Sequence, residues 1–525
     1  MTKRTLRALC VFCGLMVLVS CTLPAGNPAA SSPPLNLVTI DPNATITPTP
    51  FQPAVESFTP SPTSTFLPTL TPLPTETATP TASPTLPAAN GPTSAVDTPI
   101  PALTRPQYSI YVLLDYSGHQ LAVDQNIQYT NLTGATLSDL VLAVEPNLYT
   151  DSFSLETLFL DGVSANYQLD GHRLTIFLQQ PITPGNAVTL AMRYRIAIPP
   201  KYFSMPYGYL GYQVNLTDWY PFVVPYNGGW VLHDPWSFGE HLVYDAADYD
   251  VNLQVLEDGI TVAASAPEEE NGEWTRYRLY GARTFAFSAS DRYLMSESAV
   301  GTVVIRSYYF EGHEGAGKGM LNAAVQAVGL FDAIFVPYPY NSLSVVETEV
   351  PDGQEYDGLS FLGANFYDQY GGSNRSNMVS IGVHEIAHNW WFGLVGNDQA
   401  LEPWLDEALS VYSERIFYER TNASYGDWWW NFRVNYFSPS GWVDTSIYDG
   451  SSYRGYTNAA YLTGAYFLED LRVRMGDQDF YNFLQDYATR YSYKLATSND
   501  FFTVARANTS ADISDLIQAY FQGSY

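Results

Sequence analysis

The pentapeptide His384-Glu385-Ile386-Ala387-His388 carries the strongest structural signal in this sequence of 525 residues. On a helix the two histidines, four residues apart, point to the same side, so their imidazoles can share one metal ion. Glu385 lies about 100° further round such a helix, within reach of a water molecule beside the ion. No cysteine follows Cys21, so the ligands in the rest of the chain must be histidine or carboxylate. We therefore predict a zinc site in which His384 and His388 are two of the ligands.

Glu407 is the candidate for the third ligand. It stands nineteen residues beyond His388, in the segment Trp404–Ser410, which reads WLDEALS. Glycine and proline between the two segments favour the end of one helix and the start of a second at about Trp404. An antiparallel return of the second helix would place Glu407 against the histidines, and we then expect one Zn²⁺ per chain. The alternative is that Glu407 is an exposed helix carboxylate, as is expected of Glu402 and Glu414.

Three motifs together resemble those of the gluzincin aminopeptidase family. Residues 384–396 (HEIAHNWWFGLVG) followed by 404–414 (WLDEALSVYSE) resemble its HExxH-x18-E signature. Residues 353–359 (GQEYDGL) resemble its G-x-M-E-N motif or the GMEYPG variant, and residues 461–465 (YLTGA) resemble its Tyr-x-Lys-Gly-Ala segment. The family includes aminopeptidase N, the puromycin-sensitive aminopeptidase and the leukotriene hydrolases. The similarity runs from about residue 108 to the end of the chain, and Gln354, Asp357 and Thr463 depart from the family's motifs.

The resemblance implies a zinc-dependent aminopeptidase that hydrolyses the N-terminal peptide bond of peptides. The two histidines and Glu407 would hold the metal, and Glu385 would be the general base that moves a proton from the attacking water to the leaving amine. Glu355 would bind the free amino terminus of the substrate. Tyr461 would donate a hydrogen bond to the oxyanion, although Tyr456 is a rival for this role.

Two other functions remain open from the sequence. The chain ends soon after Tyr461, so the large C-terminal helical domain of many family members is not expected. A zinc endopeptidase with an open cleft is therefore an alternative. A non-catalytic surface binding module that keeps the fold is another, but the complete set of metal ligands together with Glu385 argues against it.

The residue pattern predicts a multidomain chain with two folded domains of different class. Between residues 105 and 298, segments of alternating apolar and polar residues, such as YSIYVLLDY and HRLTIFLQQ, are separated by turn clusters and predict an N-terminal all-β domain. From 299 to 525, predicted strands at 303–310 and 342–350 are followed by predicted helices at 378–395, 404–420, 459–475 and 477–487. This pattern indicates an α+β domain, and the resemblance makes it a thermolysin-like zinc peptidase domain.

The first hundred residues are predicted to be an export signal and a stalk. Residues 1–20 combine basic residues with an apolar run too short to span a bilayer, and Leu18–Cys21 (LVSC) resembles the lipobox of bacterial lipoproteins. The resemblance implies that Cys21 is acylated and anchors a short bacterial lipoprotein member of the family, whereas an ordinary signal peptide is the alternative. Residues 21–104 are rich in Pro, Thr and Ser and predict a disordered stalk. We thus expect a lipid-anchored, extracytoplasmic protein of the bacterial cell envelope.

Acidic residues dominate the charge of the chain. The 53 Asp and Glu residues against 24 Lys and Arg give a formal net charge of −29. Such a field repels phosphate backbones, which argues against nucleic acid as a partner. It favours cationic ligands, including the amino terminus of a peptide substrate, although acidity also keeps a secreted protein soluble.

Overall fold

The computed structural model describes residues 105–201, 206–450 and 452–525. The predicted signal peptide, the candidate lipidation site Cys21 and the predicted stalk lie outside these residues. None of the helices within them combines the length and the hydropathy that a membrane span requires. All the described residues fall into one unit by their internal contacts.

Three β-sheets build the N-terminal part, which confirms the predicted all-β class. In the residues described, its strands are β1 (Gln107–Asp115), β2 (Gln120–Thr130), β3 (Leu137–Ala143), β4 (Phe153–Leu160), β5 (Val163–Ser164), β6 (Asn166–Asp170), β7 (Arg173–Ile182), β8 (Ala187–Ala197), β9 (Gly208–Leu210), β10 (Gln213–Leu216), β11 (Phe222–Val223), β12 (Ala247–Val255), β13 (Thr261–Ala264), β14 (Glu268–Asn271), β15 (Trp274–Ala282) and β16 (Phe287–Ser290). One sheet has the order β14-β15-β12-β1-β2-β8-β4-β5, and the other two have the orders β13-β16-β10-β9 and β11-β3-β7-β6. In β1 the alternate residues Ile110, Val112 and Leu114 are buried, so one face of this strand packs on the core.

The C-terminal part is a mixed sheet followed by helices, as predicted. Its strands are β17 (Leu294–Val300), β18 (Val303–Tyr309), β19 (Ser342–Thr348), β20 (Gly353–Tyr356), β21 (Leu359–Gly363), β22 (Val395–Gly396) and β23 (Lys494–Leu495). Its helices are α1 (Glu314–Ile334), α2 (Ala364–Asp368), α3 (Asn377–Ala387), α4 (Trp404–Thr421), α5 (Gly426–Trp429), α6 (Tyr453–Tyr456), α7 (Gly464–Met475), α8 (Asp477–Tyr491), α9 (Ser498–Ala507) and α10 (Ser514–Tyr520). A five-stranded sheet of order β17-β18-β19-β21-β20 forms the floor on which α1 and α3 pack.

The first strand of the C-terminal sheet crosses the domain boundary set from sequence at residue 298. Strand β17 pairs antiparallel with β18, and the register ends with Val300 opposite Val303. Gly301, at φ 57°, lies in the tight turn between them. A two-residue connection of this kind fixes both strands in one hairpin, so the C-terminal sheet begins at Leu294.

Helix α3 is shorter than the sequence pattern predicts. Its N-terminus is capped by Ser376, whose hydroxyl accepts a hydrogen bond from the Val379 amide, and the helix ends at Ala387 rather than Val395. Phe392 adopts φ 146°, which no helix accommodates, and the preceding turn is closed by the Gly393 amide donating to the His388 carbonyl. Helix α4 begins at Trp404, as predicted, and packs against α3. This packing positions the candidate metal ligands.

Candidate zinc-dependent active site

The three predicted metal ligands converge where α3 and α4 meet. His384 lies in α3, His388 directly follows its last residue, and Glu407 lies in the first turn of α4. His384 Nε2 lies 3.1 Å from Glu407 Oε2 and 3.1 Å from His388 Nε2. All three side chains are buried, and their ligand atoms lie within 4.8 Å of one another. The alternative that Glu407 is an exposed helix carboxylate does not fit this placement.

The outer nitrogens of the two histidines also have partners. His388 Nδ1 lies 3.1 Å from the Trp391 carbonyl oxygen, and His384 Nδ1 lies 3.2 Å from Glu414 Oε1. The Arg433 guanidinium in turn holds Glu414, with Nη2 2.8 Å from Oε1. Contacts of this kind orient imidazoles so that the Nε2 atoms face a common ion, as in carboxylate–histidine–zinc arrangements.

The chemistry of this donor set suits Zn²⁺. Burial by itself would raise the pKa of Glu407, but hydrogen bonds with His384 and His388 lower it to about 2, so its carboxylate is ionised. Two imidazoles and one carboxylate are the protein ligands typical of a catalytic zinc, which keeps a fourth position open. The residues present therefore fit the metal implied by the sequence.

Glu385 lies beside the metal ligands with its carboxylate against the backbone of β20. A Cβ atom added to Gly353 would come within 2.1 Å of Glu385 Oε1, so only glycine permits this approach. Burial raises the pKa of Glu385 well above its ordinary value; the charge of His388 opposes this shift, and Glu355 and Glu407 add to it. A carboxyl group whose pKa is raised is a stronger base than an ordinary carboxylate, which suits a group that must accept a proton and later release it.

Glu355 lies on β20, facing the same space. Its carboxylate accepts hydrogen bonds from Gln399 Nε2 at 3.1 Å and from Gln354 Nε2 at 2.9 Å. Gln354 also donates to Glu240 Oε1 at 3.3 Å, which brings a second carboxylate alongside. Burial raises the pKa of both carboxyl groups. The charge of Glu355 raises the pKa of Glu240 further, and for Glu355 the charge of His388 opposes the shift while that of Glu407 adds to it. A substrate ammonium placed here would relieve this repulsion, because it supplies the opposite charge.

Tyr461, rather than its rival Tyr456, reaches the cavity beside the metal ligands. The Tyr461 hydroxyl donates a 2.6 Å hydrogen bond to Glu407 Oε1, and its ring stacks 6.3 Å from that of His384. Tyr456 packs behind it, with ring centroids 5.6 Å apart, and is not among the residues that line the cavity. Tyr461 lies in the π-helical segment Thr457–Thr463, a conformation found often at functional sites.

These side chains line one cavity of about 410 Å³ between the β-rich part and the C-terminal part. Its walls include the candidate metal ligands, Glu385, Glu355 and Tyr461 on one side. Trp236, Phe238 and Tyr453 add aromatic surface. The volume matches that of pockets for small organic ligands, which corresponds to a few residues of a peptide.

Four contributors to this site were not identified from the sequence. Glu414 is fully buried, although an exposed position was expected for it, because it pairs with Arg433. Glu240 comes from an irregular segment that has no periodic pattern. Asp406 accepts a 2.9 Å hydrogen bond from Gln399, and Asp357 accepts bonds from the backbone amides of residues 283 and 284. Of these four residues, only Asp357 stood out in the sequence, because it departs from the family motif two residues after Glu355.

Comparison with known proteins supports the same class of molecule, a zinc metallopeptidase. The model of the Peptidase family M1 domain matches residues 332–520, which contain every candidate site residue of the C-terminal part. The C-terminal part is therefore similar to the M1 peptidase domain, in agreement with the gluzincin aminopeptidase resemblance of the sequence motifs.

Curated relatives and solved structures agree with that assignment. Aminopeptidase M1-B of Oryza sativa subsp. japonica is 26% identical over 43% of this chain, and Aminopeptidase M1 of Arabidopsis thaliana is 23% identical over 42%. The matches span only 28% and 26% of the length of those relatives. A two-domain M1 zinc metallopeptidase bound to L-arginine aligns with 80% of this chain and 94% of its own, with a TM-score of 0.59 and 17% identity. An M1 zinc metallopeptidase mutant from Deinococcus radiodurans also aligns with 80% of this chain and 94% of its own, with a TM-score of 0.56 and 18% identity. The likeness to these structures establishes the two-domain fold.

Proposed function

We propose that this protein is a zinc-dependent aminopeptidase that hydrolyses the N-terminal peptide bond of peptides. The observation that carries the proposal is the position of Glu355, which shares one cavity with the candidate metal ligands and with Glu385. A bound Zn²⁺ would polarise the scissile carbonyl and make water a better nucleophile. The amine-binding group and the hydrolytic group would then act on the same end of one bound peptide.

Side chains of the protein carry out the other steps of the proposed reaction. The Glu355 carboxylate accepts hydrogen bonds from the substrate's ammonium group and so fixes its end. Glu385 takes a proton from the attacking water and returns it to the leaving amine. Tyr461 turns its hydroxyl from Glu407 to the developing oxyanion, a contribution worth about 3–4 kcal/mol in comparable sites. A structure of the Deinococcus radiodurans relative is described with a Tyr-Ser-Ala substrate, which supports short peptides as the substrate class.

The test is hydrolysis of short peptides by the full-length protein, with and without a chelator. We expect chelation to abolish turnover and added zinc to restore it. Glu385→Gln should lower turnover by at least ~100-fold without releasing the metal, because its amide cannot accept a proton. Glu270→Gln makes the same chemical change on the exposed strand β14 and should leave turnover unchanged. Chelator-resistant hydrolysis, or no hydrolysis of any peptide, would contradict the proposal, and the second result would favour a binding module.

We further propose that the protein is anchored to the outer face of a bacterial membrane through acylated Cys21. The support is the sequence alone: the apolar run, LVSC at residues 18–21, and a Pro-rich stalk that could extend roughly 250 Å at about 3.1 Å per residue. Cys21→Ser should move the protein from the membrane fraction to the soluble fraction, or block its processing. A mature-sized Cys21→Ser protein that still sediments with membranes would disprove the anchor.

A further inference from the structure

A second cluster of metal-ligating side chains lies in the β-rich part. It consists of Glu145, His172 and His241, and is called here the Glu145 cluster. His172 Nδ1 lies 2.6 Å from Glu145 Oε1, and His241 Nε2 lies 3.2 Å from Glu145 Oε2. One potential ligand atom from each of the three residues lies within 4.8 Å of the other two. His172 is buried, and the side chains of Glu145 and His241 are only 12% and 14% exposed.

The pairing of two strands brings Glu145 and His172 together. Strand β3 pairs with β7 so that Ala143 lies opposite Arg173; Glu145 follows two residues after Ala143, and His172 directly precedes Arg173. The Val144 amide donates a 2.7 Å hydrogen bond to the His172 carbonyl, and the Asn147 side chain donates one of 2.6 Å to the Gly171 carbonyl. These bonds fix the backbone on both sides of the pair, so the two side chains are held in place before any ligand binds.

His241 approaches from the irregular segment between β11 and β12. Its Nε2 atom is buried and makes no hydrogen bond of acceptable geometry, although Glu145 Oε2 is 3.2 Å away. Such a contact is expected when the ring nitrogen and the carboxylate oxygen both face a common metal ion, because neither atom then points directly at the other. A buried ring nitrogen without a hydrogen bond costs free energy unless a bound ion or ligand contacts it.

The candidate active site provides an internal standard for this geometry. There the histidine rings have centroids 4.8 Å apart, and in the Glu145 cluster the rings of His172 and His241 are 5.7 Å apart. In both sets two imidazoles converge on one carboxylate, and the three potential ligand atoms lie within 4.8 Å of one another. A tetrahedral zinc with ligand bonds of about 2.1 Å separates its ligand atoms by roughly 3.4 Å. The 3.2 Å between His241 Nε2 and Glu145 Oε2 is close to this value, whereas the 2.6 Å between His172 Nδ1 and Glu145 Oε1 would have to lengthen when an ion binds.

We propose that Glu145, His172 and His241 form a second binding site for a divalent transition-metal ion of the zinc class. Imidazole and carboxylate together select such ions over Ca²⁺ and Mg²⁺, which prefer oxygen ligands. The ion would join three separate segments: the chain after β3, the turn before β7 and the segment that carries His241. It would thereby fix one wall of the cavity, since Glu145 and His241 both line it.

The surroundings of the cluster accommodate the added charge. With one ionised Glu145 and two neutral histidines, a divalent ion leaves the site with a single positive charge. Asp218 lines the same cavity and accepts a 2.6 Å hydrogen bond from Tyr244. Burial raises the pKa of Asp218 to about 7, the hydrogen bond from Tyr244 opposes this shift, the charge of Glu145 adds to it and the charge of His241 opposes it. An adjacent positive site would stabilise the ionised form of this buried acid.

The experiment is a metal count on the full-length protein after equilibration with zinc and removal of the excess by gel filtration. We expect two equivalents of zinc per chain in the wild type. His388→Ala should keep one, because it empties only the candidate active site. Glu145→Gln and His241→Gln should each keep one, and His388→Ala combined with Glu145→Gln should keep none. His119→Gln, which removes a histidine of the same domain outside the cluster, should keep two.

A second measurement guards against variants that fail to fold. In the His388→Ala background, added zinc should raise the melting temperature, because an ion that binds only the folded state stabilises it. The rise should be absent when Glu145→Gln or His241→Gln is added, while the metal-free melting temperatures stay similar. A single equivalent in the wild type, lost in His388→Ala, would overturn the proposal and leave the cluster as a hydrogen-bonded trio. The outcome is independent of the proposed peptidase activity, because the second site is counted without any assay of hydrolysis.

Discussion

Replacing Glu355 tests whether this protein recognises a free amino terminus. The variant Glu355→Gln keeps the volume of the side chain but removes the negative charge that would oppose the substrate's ammonium. The measured quantity is the ratio of kcat/KM for a free peptide to kcat/KM for the same peptide acetylated at its amino terminus. The ratio isolates recognition of the amine, because both substrates use the same metal and the same base.

The magnitude follows from the burial of Glu355. Its side chain is shielded from water, and two unit charges 4 Å apart interact by about 4 kcal/mol at an effective dielectric constant of 20. Part of this is lost because the carboxylate gives up hydrogen bonds to Gln354 and Gln399 when it turns to the substrate. We therefore expect a wild-type ratio of at least ~100, which corresponds to about 2.7 kcal/mol. Glu355→Gln should reduce the ratio to below ~10, with the remainder supplied by Glu240.

The control is Glu270→Gln on the exposed strand β14, which should leave the ratio at its wild-type value. A wild-type ratio near one would refute the reasoning and indicate an endopeptidase with an open cleft, while leaving the metal site intact. An unchanged ratio in Glu355→Gln would show that another group binds the amine.

Three further predictions test other parts of the site. Gly353→Ala should displace the Glu385 carboxylate and lower kcat by at least ~10-fold while the zinc content stays constant, and an unchanged kcat would show that β20 can move aside. Glu414→Gln should weaken zinc binding by about 10–100-fold in a chelator competition, because it orients one histidine ligand; wild-type affinity would reduce its role to packing. Tyr461→Phe should lower kcat by about 100-fold or more with little change in KM, whereas Tyr456→Phe should retain most activity, and the reverse pattern would exchange their roles.

The local spacing of residues was sufficient to predict much of this molecule. The four-residue interval between His384 and His388 places both rings on one face of any helix, whatever packs around it. The start of α4 at Trp404 follows from the glycine and proline before it, and alternation along β1 follows from the two-residue period of a strand. The M1 resemblance could be stated from the same short motifs. Such features depend on neighbours in sequence, so they are visible before the chain folds.

Tertiary packing decided the rest, because it joins residues that no local pattern connects. The helical period continues past His388, yet α3 ends at Ala387 because the chain turns at Phe392 and packs two tryptophans, Trp390 and Trp391, into the core. Glu414 lies on a helix where polar residues usually face water, but pairing with a buried guanidinium holds it inside.

The same reason applies to the groups that reach the cavity from irregular segments. Glu240 and His241 lie in a stretch with no periodicity, and their neighbours in space are far away in sequence. Glu145 and His172 meet only because β3 and β7 pair in one particular register. A sequence records which donor atoms exist, whereas the free energy of packing and strand pairing decides which of them share a site.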